Sequence, residues 1–317
     1  MSSASKDTKY NAIKGAFVRG DSTFRNWIKA DGSTQFPPEA NRYHLYVSYA
    51  CPWANRTLIL RSMKGLQKII TVDVVDWLLD MSKGWQFSPE KKGCTPDTVK
   101  GCKSLRDVYG GDGYTGKVTV PVLYDKKMNV IVNNESSEIL RMLNSEFNDF
   151  CETPEQRDLN LYPESLRAKI DAINEWIYPM VNNGVYKSGF AKSQEAYDAA
   201  VTELFQALDQ VEEILSKNRY LTGDSLTEAD IRLFVTLVRF DAVYVLHFKC
   251  NRRRIVDYPN MWGYVKEIYQ LPGVAETVNM EHIVKHYHMS HPSINQFRIV
   301  PINPIIDFNE KHGRDKL

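Results

Sequence analysis

A chain of 317 residues with 43% hydrophobic content is long enough for two domains with cores of their own. Its 40 Lys and Arg against 39 Asp and Glu leave a formal charge of +1, without the basic footprint that nucleic acid requires. Its five cysteines show no metal-type spacing, and no stretch reaches bilayer length, which argues against a disulfide framework, a thiolate metal site and a membrane span.

Residues 1–40 are polar and punctuated by Gly15, Gly20, Gly32 and Pro37-Pro38, the pattern of an extension rather than a domain. The segment nevertheless holds Phe17, Phe24, Trp27 and Phe36, too many aromatics for a disordered tail, and is expected to be ordered by packing. Its opening, MSSASKDTKY, has no apolar leader-like run, so a cytoplasmic protein with free thiols is expected.

Residues 41–150 read as strand (45–49), helix (52–65), strand (69–75), a polar insertion (76–117), a hairpin (120–125 and 129–134, joined at DKKM) and a helix (135–147). A βαβ unit followed by ββα predicts a thioredoxin-like domain. Cys51 falls where the first strand meets the first helix, with Pro52 at a position where a missing N–H costs little. Unpaired N–H groups and the helix dipole at that place favour a thiolate, hence a nucleophile. Taken alone, a cysteine before proline reads as readily as a buried structural one. Ala54 occupies the fourth position of C-P-W-A, which excludes a dithiol cycle and requires that the thiol be regenerated from outside.

The insertion is longer than ordinary connections, a length usually associated with function. Val120-Pro121 stands at a strand start, where proline is disfavoured. A cis bond accounts for it and would present the Val120 backbone to an extended peptide, while a strand-initial trans proline is the plainer alternative. Asn134-Glu135-Ser136 opens a helix and offers a carboxylate site, or simply an N-cap.

From residue 151 to 300 strand signals give way to helices at 156–178, 194–217, 227–247, 260–270 and 274–287, predicting an all-helical domain. Thr227 and Asp230 form a capping-box pattern, with Leu226 and Ile231 placed as its staple. His286, His288 and His291 read as a solvated helix end rather than a metal site, and Lys249 with Arg252, Arg253 and Arg254 as a solvated loop. Residues 301–317 read as an irregular tail.

Cys51 at one helix start, Val120-Pro121, and Glu135-Ser136 at a second helix start together resemble the glutathione transferase superfamily, over residues 41–291. The resemblance implies a glutathione transferase architecture, with the peptide backbone pairing at the proline and the γ-glutamyl carboxylate meeting the Glu-Ser helix start. Cysteine in place of tyrosine or serine resembles the omega-like branch. The runs SKGWQF, NNGVYKSGFA and HYHMSHPSINQ resemble the xi class, the S-glutathionyl-hydroquinone reductases; Gln296 departs from that pattern, where proline is common.

By that resemblance Trp85 walls the glutathione site, Arg106 in SLRDVY contacts glutathione, and Tyr186 and Tyr287 meet the substrate. In a plainer reading Trp85 anchors packing and the tyrosines are ordinary buried ones. The resemblance implies a homodimer that uses glutathione as co-substrate, without a metal, on quinone-derived aromatics through a mixed disulfide on Cys51. An omega-type thiol transferase or dehydroascorbate reductase, and a noncatalytic ligand-binding protein on the same fold, are the alternatives.

Overall fold

Tyr43–Val47 forms strand β1, and all five of its side chains are buried because it lies inside a sheet covered on both faces. It runs parallel to β2 (Thr71–Val74) and antiparallel to β3 (Val122–Asp125), which pairs in turn with β4 (Val130–Asn133), in the order β2-β1-β3-β4. Helix α1 (Pro52–Met63) follows β1 and ends at Gly65, whose φ of 67° a glycine adopts without strain. The computed structural model describes residues 13–317, so the first twelve residues of the extension lie outside the described part.

The predicted insertion is ordered by buried carboxylates. Asp97 accepts the N–H groups of Val99, Lys100 and Cys102 and the hydroxyl of Tyr46, while Asp76 accepts from Ser88 and Lys91. It also contains a short helix, α2 (Leu105–Tyr109), closed at its start by reciprocal Ser104–Asp107 bonds that the sequence reading passed over. Helix α3 (Ser136–Ser145) completes the thioredoxin-like arrangement and α4 (Pro154–Asp158) follows.

The remaining helices are α5 (Arg167–Ile177), α6 (Gly184–Gly189), α7 (Gln194–Lys217), α8 (Glu228–Arg239), α9 (Val245–His247), α10 (Pro259–Gln270) and α11 (Met280–Ser290). The helix predicted over 156–178 is broken, since Pro163 supplies no N–H and the Leu161 carbonyl is taken by Glu228 N–H instead. The helix predicted from 274 begins at Met280, after Asn279 caps the N–H of His282. Wider π turns at Tyr178–Asn182 and Phe240–Tyr244 continue α5 and α8. At the start of α8, Asp230 is buried and accepts from Thr227 N–H, the Thr227 hydroxyl, Leu221 N–H and Tyr264. Among the described residues no helix is long and apolar enough to cross a membrane.

Two compact units result. One comprises Asp21–Asn160 with Pro272–Val300; the other comprises residues 13–20, Leu161–Leu271 and Pro301–Leu317. Part of the extension therefore belongs to the sheet unit: Asn26 N–H donates to Val132 O and Asn134 N–H to Phe24 O, each at 3.0 Å, and Arg25 pairs with Asn133 as one more rung beside β4. Residues 272–300, which follow a helical run in sequence, join the same unit. Buried Asn55 of α1 donates to both Thr277 O (3.1 Å) and Thr277 Oγ1 (2.9 Å).

In the helical unit the tail is a clasp. Arg314 is buried, and its guanidinium donates to the carbonyls of Leu215, Asn218, Arg219 and Asn260 and lies 3.4 Å from Glu267. Arg314→Ala orphans these carbonyls and leaves a buried carboxylate with less compensation, at a cost of about 3 kcal/mol. Thermal unfolding of the full chain should fall by roughly 5 °C or more; an unchanged midpoint would show that the clasp carries no stability.

Candidate functional site

The turn Ser48–Cys51 redirects the chain from β1 into α1. Cys51 N–H donates to Ser48 O (3.1 Å), and the Cys51 carbonyl accepts Asn55 N–H (3.0 Å). Cys51 is the N-cap, in extended conformation, and Pro52 begins the helix. Its half-buried side chain places Sγ 3.6 Å from the carbonyl of Val120. The Val120–Pro121 bond is cis, and the 3.6 Å contact makes the thiol and the backbone edge before β3 neighbours.

The other four thiols are in different surroundings. Burial pushes Cys94 and Cys102 up to about 11, and burial also raises Cys151 and the fully buried Cys250. Those four are held as neutral thiols at neutral pH.

The second helix start is capped by Glu135 rather than by Ser136, which is the first residue of α3. Glu135 Oε1 accepts the N–H (3.1 Å) and hydroxyl (2.9 Å) of Ser137, and Oε2 accepts the Ser22 hydroxyl (3.0 Å). Burial raises this carboxyl, but the Ser137 and Ser22 bonds and the charge of Arg56 outweigh it and hold the group below its ordinary value. Ser136 is buried, and Arg56 Nη1 donates to its hydroxyl at 3.3 Å. Arg56 comes from α1, the helix that Cys51 caps, so one helix serves both starts.

Trp85, in the insertion, is buried and stacked on His286 of α11, with ring centroids 5.3 Å apart and planes at 18°. His286 Nδ1 lies 2.7 Å from Trp77 O. Tyr287, beside it, is buried edge-on against both His286 and His291. The expected solvated helix end is thus corrected: His286 and His288 are buried, and His286 is turned onto Trp77 and Trp85 of the insertion. Arg106 on α2 donates to Tyr114 O at 2.9 Å. Tyr186 lies on α6 in the helical unit, packed against Phe190, Tyr244 and Phe248.

Sequence reasoning missed Arg56 and the His286 support of Trp85. A signal for the first was an arginine on a helix whose neighbours Ala54, Thr57, Leu58 and Ile59 are all buried. For the second, His282, His286 and Ser290 recur at four-residue spacing, so they share one face of α11. All three bond the backbone of the insertion, at Lys92 O, Trp77 O and Leu79 N–H.

The family of the glutathione S-transferase N-terminal domain matches residues 50–146, and that of the glutathione S-transferase C-terminal domain matches residues 194–267. The chain is 52% identical to the glutathionyl-hydroquinone reductase YqjG of Escherichia coli, over 98% of this chain and 94% of that protein. It is 48% identical to the glutathionyl-hydroquinone reductase PcpF of Sphingobium chlorophenolicum, over 94% and 92% respectively. The glutathione-bound structure of YqjG superposes with a TM-score of 0.88 at 53% identity, covering 92% of this chain and 96% of that one. The glutathione S-transferase Xi of Phanerochaete chrysosporium does so with a TM-score of 0.88 at 52% identity, covering 91% and 98%.

The Glu135 network has a pH signature. Because its folded value is depressed, the charge stabilises the fold above the ordinary 4.5 and that contribution is lost as pH falls through the folded value. Glu135→Gln should therefore cost about 1 kcal/mol near neutral pH, and the deficit should close as the pH drops below 4.5. Urea unfolding of both proteins across that range measures it, and a gap independent of pH would rule out a role for the charge.

Proposed function

The chain belongs to the glutathione S-transferase family, in its xi class, and on that premise we propose that it reduces S-glutathionyl-hydroquinones to free hydroquinones through a mixed disulfide on Cys51. The observation that carries this reading is the Cys51 sulfur at a helix start, 3.6 Å from the carbonyl before a cis-proline. There a glutathionyl group lying extended along the Val120 backbone brings its own sulfur to the thiol.

Trp85, Arg106, Val120, Pro121, Glu135 and Ser136 are proposed to hold glutathione. The Glu135 carboxylate and the Ser136 helix start suit the two charges of an α-amino acid end: the first accepts from an ammonium and the second receives a carboxylate.

The cycle uses two thiolates in turn, that of Cys51, which is regenerated, and that of one glutathione, which is consumed. In the keto tautomer of the conjugate, the ring carbon bearing sulfur already carries the proton it will keep. The Cys51 thiolate attacks the glutathionyl sulfur and the carbon–sulfur bond breaks. Its electron pair passes through the ring to the carbonyl oxygen, which leaves as a hydroquinone oxyanion and is protonated. Tyr186 and Tyr287 are proposed to donate hydroxyl hydrogen bonds where that charge develops. A glutathione thiolate then attacks the glutathionyl sulfur of the mixed disulfide, which gives oxidised glutathione and returns the Cys51 thiolate. Glutathione is the co-substrate and no metal enters any step.

We also propose a cytoplasmic homodimer. Five free cysteines suit a reducing compartment, and the dimer follows the family resemblance. Sedimentation at micromolar concentration tests the second point, where a monomer would refute it.

Cys51→Ser should abolish deglutathionylation while glutathione still binds. Intact-mass analysis after exposure to oxidised glutathione should show one adduct on the wild type and none on the variant; an adduct that persists in Cys51→Ser overturns the assignment.

The substrate class is tested by the tyrosines. A disulfide needs only the thiolate, whereas an aromatic thioether also needs help with charge on oxygen. Tyr186→Phe and Tyr287→Phe should each slow reduction of a glutathionyl-hydroquinone by about 10- to 1000-fold and barely affect a small glutathione mixed disulfide. Equal losses on both substrates, or none, would instead favour a thiol transferase.

A further inference from the structure

Part of the N-terminal extension lies across α6, the short helix that carries Tyr186. Beyond the C-terminal end of α6, Lys192 N–H donates to Gly15 O (2.9 Å) and the Ser193 hydroxyl to Lys14 O (2.8 Å). Gly15 has a φ of 89°, and a side chain there would meet the Lys192–Ser193 backbone at 3.2 Å, so a glycine is what allows the approach. Phe17 then packs on Phe190, with centroids 5.4 Å apart.

Two residues on, Arg19 reaches the other end of the helix. Its Nε donates to Oδ1 of Asn183, the residue before α6, at 2.8 Å. Its guanidinium carbon stands 4.8 Å from the centre of the Tyr186 ring and 5.4 Å from that of Phe17. Tyr186 is stacked against Phe190 at 26° and held edge-on by Phe248 with centroids 5.3 Å apart. The cation is drawn to the electron-rich face of the phenol, and the planar fork of the guanidinium is itself oriented by Asn183.

We propose that Arg19 is a positioning residue for Tyr186. It fixes the ring, and hence the direction of the hydroxyl, so the N-terminal extension forms part of the substrate-handling apparatus. The proposal rests on the reading of Tyr186 as a donor to the hydroquinone oxygen. It gives a function to a segment whose sequence shows only that it should be ordered.

Arg19→Met removes the cation and the Nε donor; Arg19→Lys keeps a charge on a long stem but lacks the donor. Both are made in the full chain, alone and combined with Tyr186→Phe. Steady-state rates are measured on a glutathionyl-hydroquinone and on a small glutathione mixed disulfide, alongside thermal unfolding. A donor displaced by about 1 Å costs up to about 100-fold. Arg19→Met should therefore lose roughly 10- to 100-fold on the hydroquinone conjugate and less than about twofold on the disulfide. Arg19→Lys should lose several-fold on the conjugate alone, and it also serves if the methionine variant does not fold.

In the Tyr186→Phe background, where no hydroxyl remains to be aimed, Arg19→Met should add nothing. Wild-type rates on the conjugate in either Arg19 variant, equal losses on both substrates, or fully additive losses in the double variant would overturn the proposal. A wild-type chain that reduces the disulfide but never the conjugate overturns the functional reading and this proposal with it. An active wild type matched by Arg19→Met overturns the proposal alone.

Discussion

Tyr46 stands opposite Val122 in the antiparallel pair of β1 and β3, and that register decides what lies beyond the end of each strand. Continuing the ladder from this rung brings the residues that leave β1 level with Pro121 and Val120, which enter β3. The four-residue turn that follows β1 therefore delivers Cys51 to the Val120 carbonyl. A slip of one residue would reverse which face each β1 side chain meets, and Tyr43, Leu45 and Val47 are all buried alongside His44 and Tyr46. Pairing on both edges of β1 makes such a slip costly, so the thiol is placed by a strand held on both sides.

From that turn the geometry spreads along α1. Arg56, one turn past Cys51, is almost wholly buried, and a guanidinium out of water is costly unless it is well compensated. Part of the compensation is the Ser136 hydroxyl and the ionised Glu135 beside it. Removing Arg56 would disturb the second helix start as well as α1. The two starts are thus mechanically linked.

What could be read from the residues was mostly local. A proline after a cysteine, a proline at a strand entrance and an Asn-Glu-Ser run are signals whose physics lies within a few residues, and the structure has a helix start, a cis bond and a capped helix at those places. The pairing of Asn26 with Val132 was not legible, because an extended polar segment has no local mark of the strand it will join. Nor was the placement of α11 with the sheet unit, since amphipathic periodicity identifies a buried face without naming what covers it. The buried histidines show the same gap. His286 was expected in a solvated helix end, and it is interior, with its ring nitrogen meeting the Trp77 carbonyl of the insertion. Of the candidate site, the two helix starts at Cys51 and Glu135 were legible from neighbouring residues. The contacts of Arg56, His286 and Arg19 join segments far apart in the chain.

The clasp made by Arg314 bears on the order in which the protein is made. The helix end it closes is 99 residues upstream, at Leu215, and residues 13–20 at the other extreme of the chain belong to the same unit. Synthesis runs from the N-terminus, and domains ordinarily begin to fold as they emerge. Here the helical unit draws one segment from before the sheet unit and its last from after it. Its native hydrogen bonding is completed only once Arg314 has been made, so the helical unit stays unfinished while the whole of the sheet unit is synthesised.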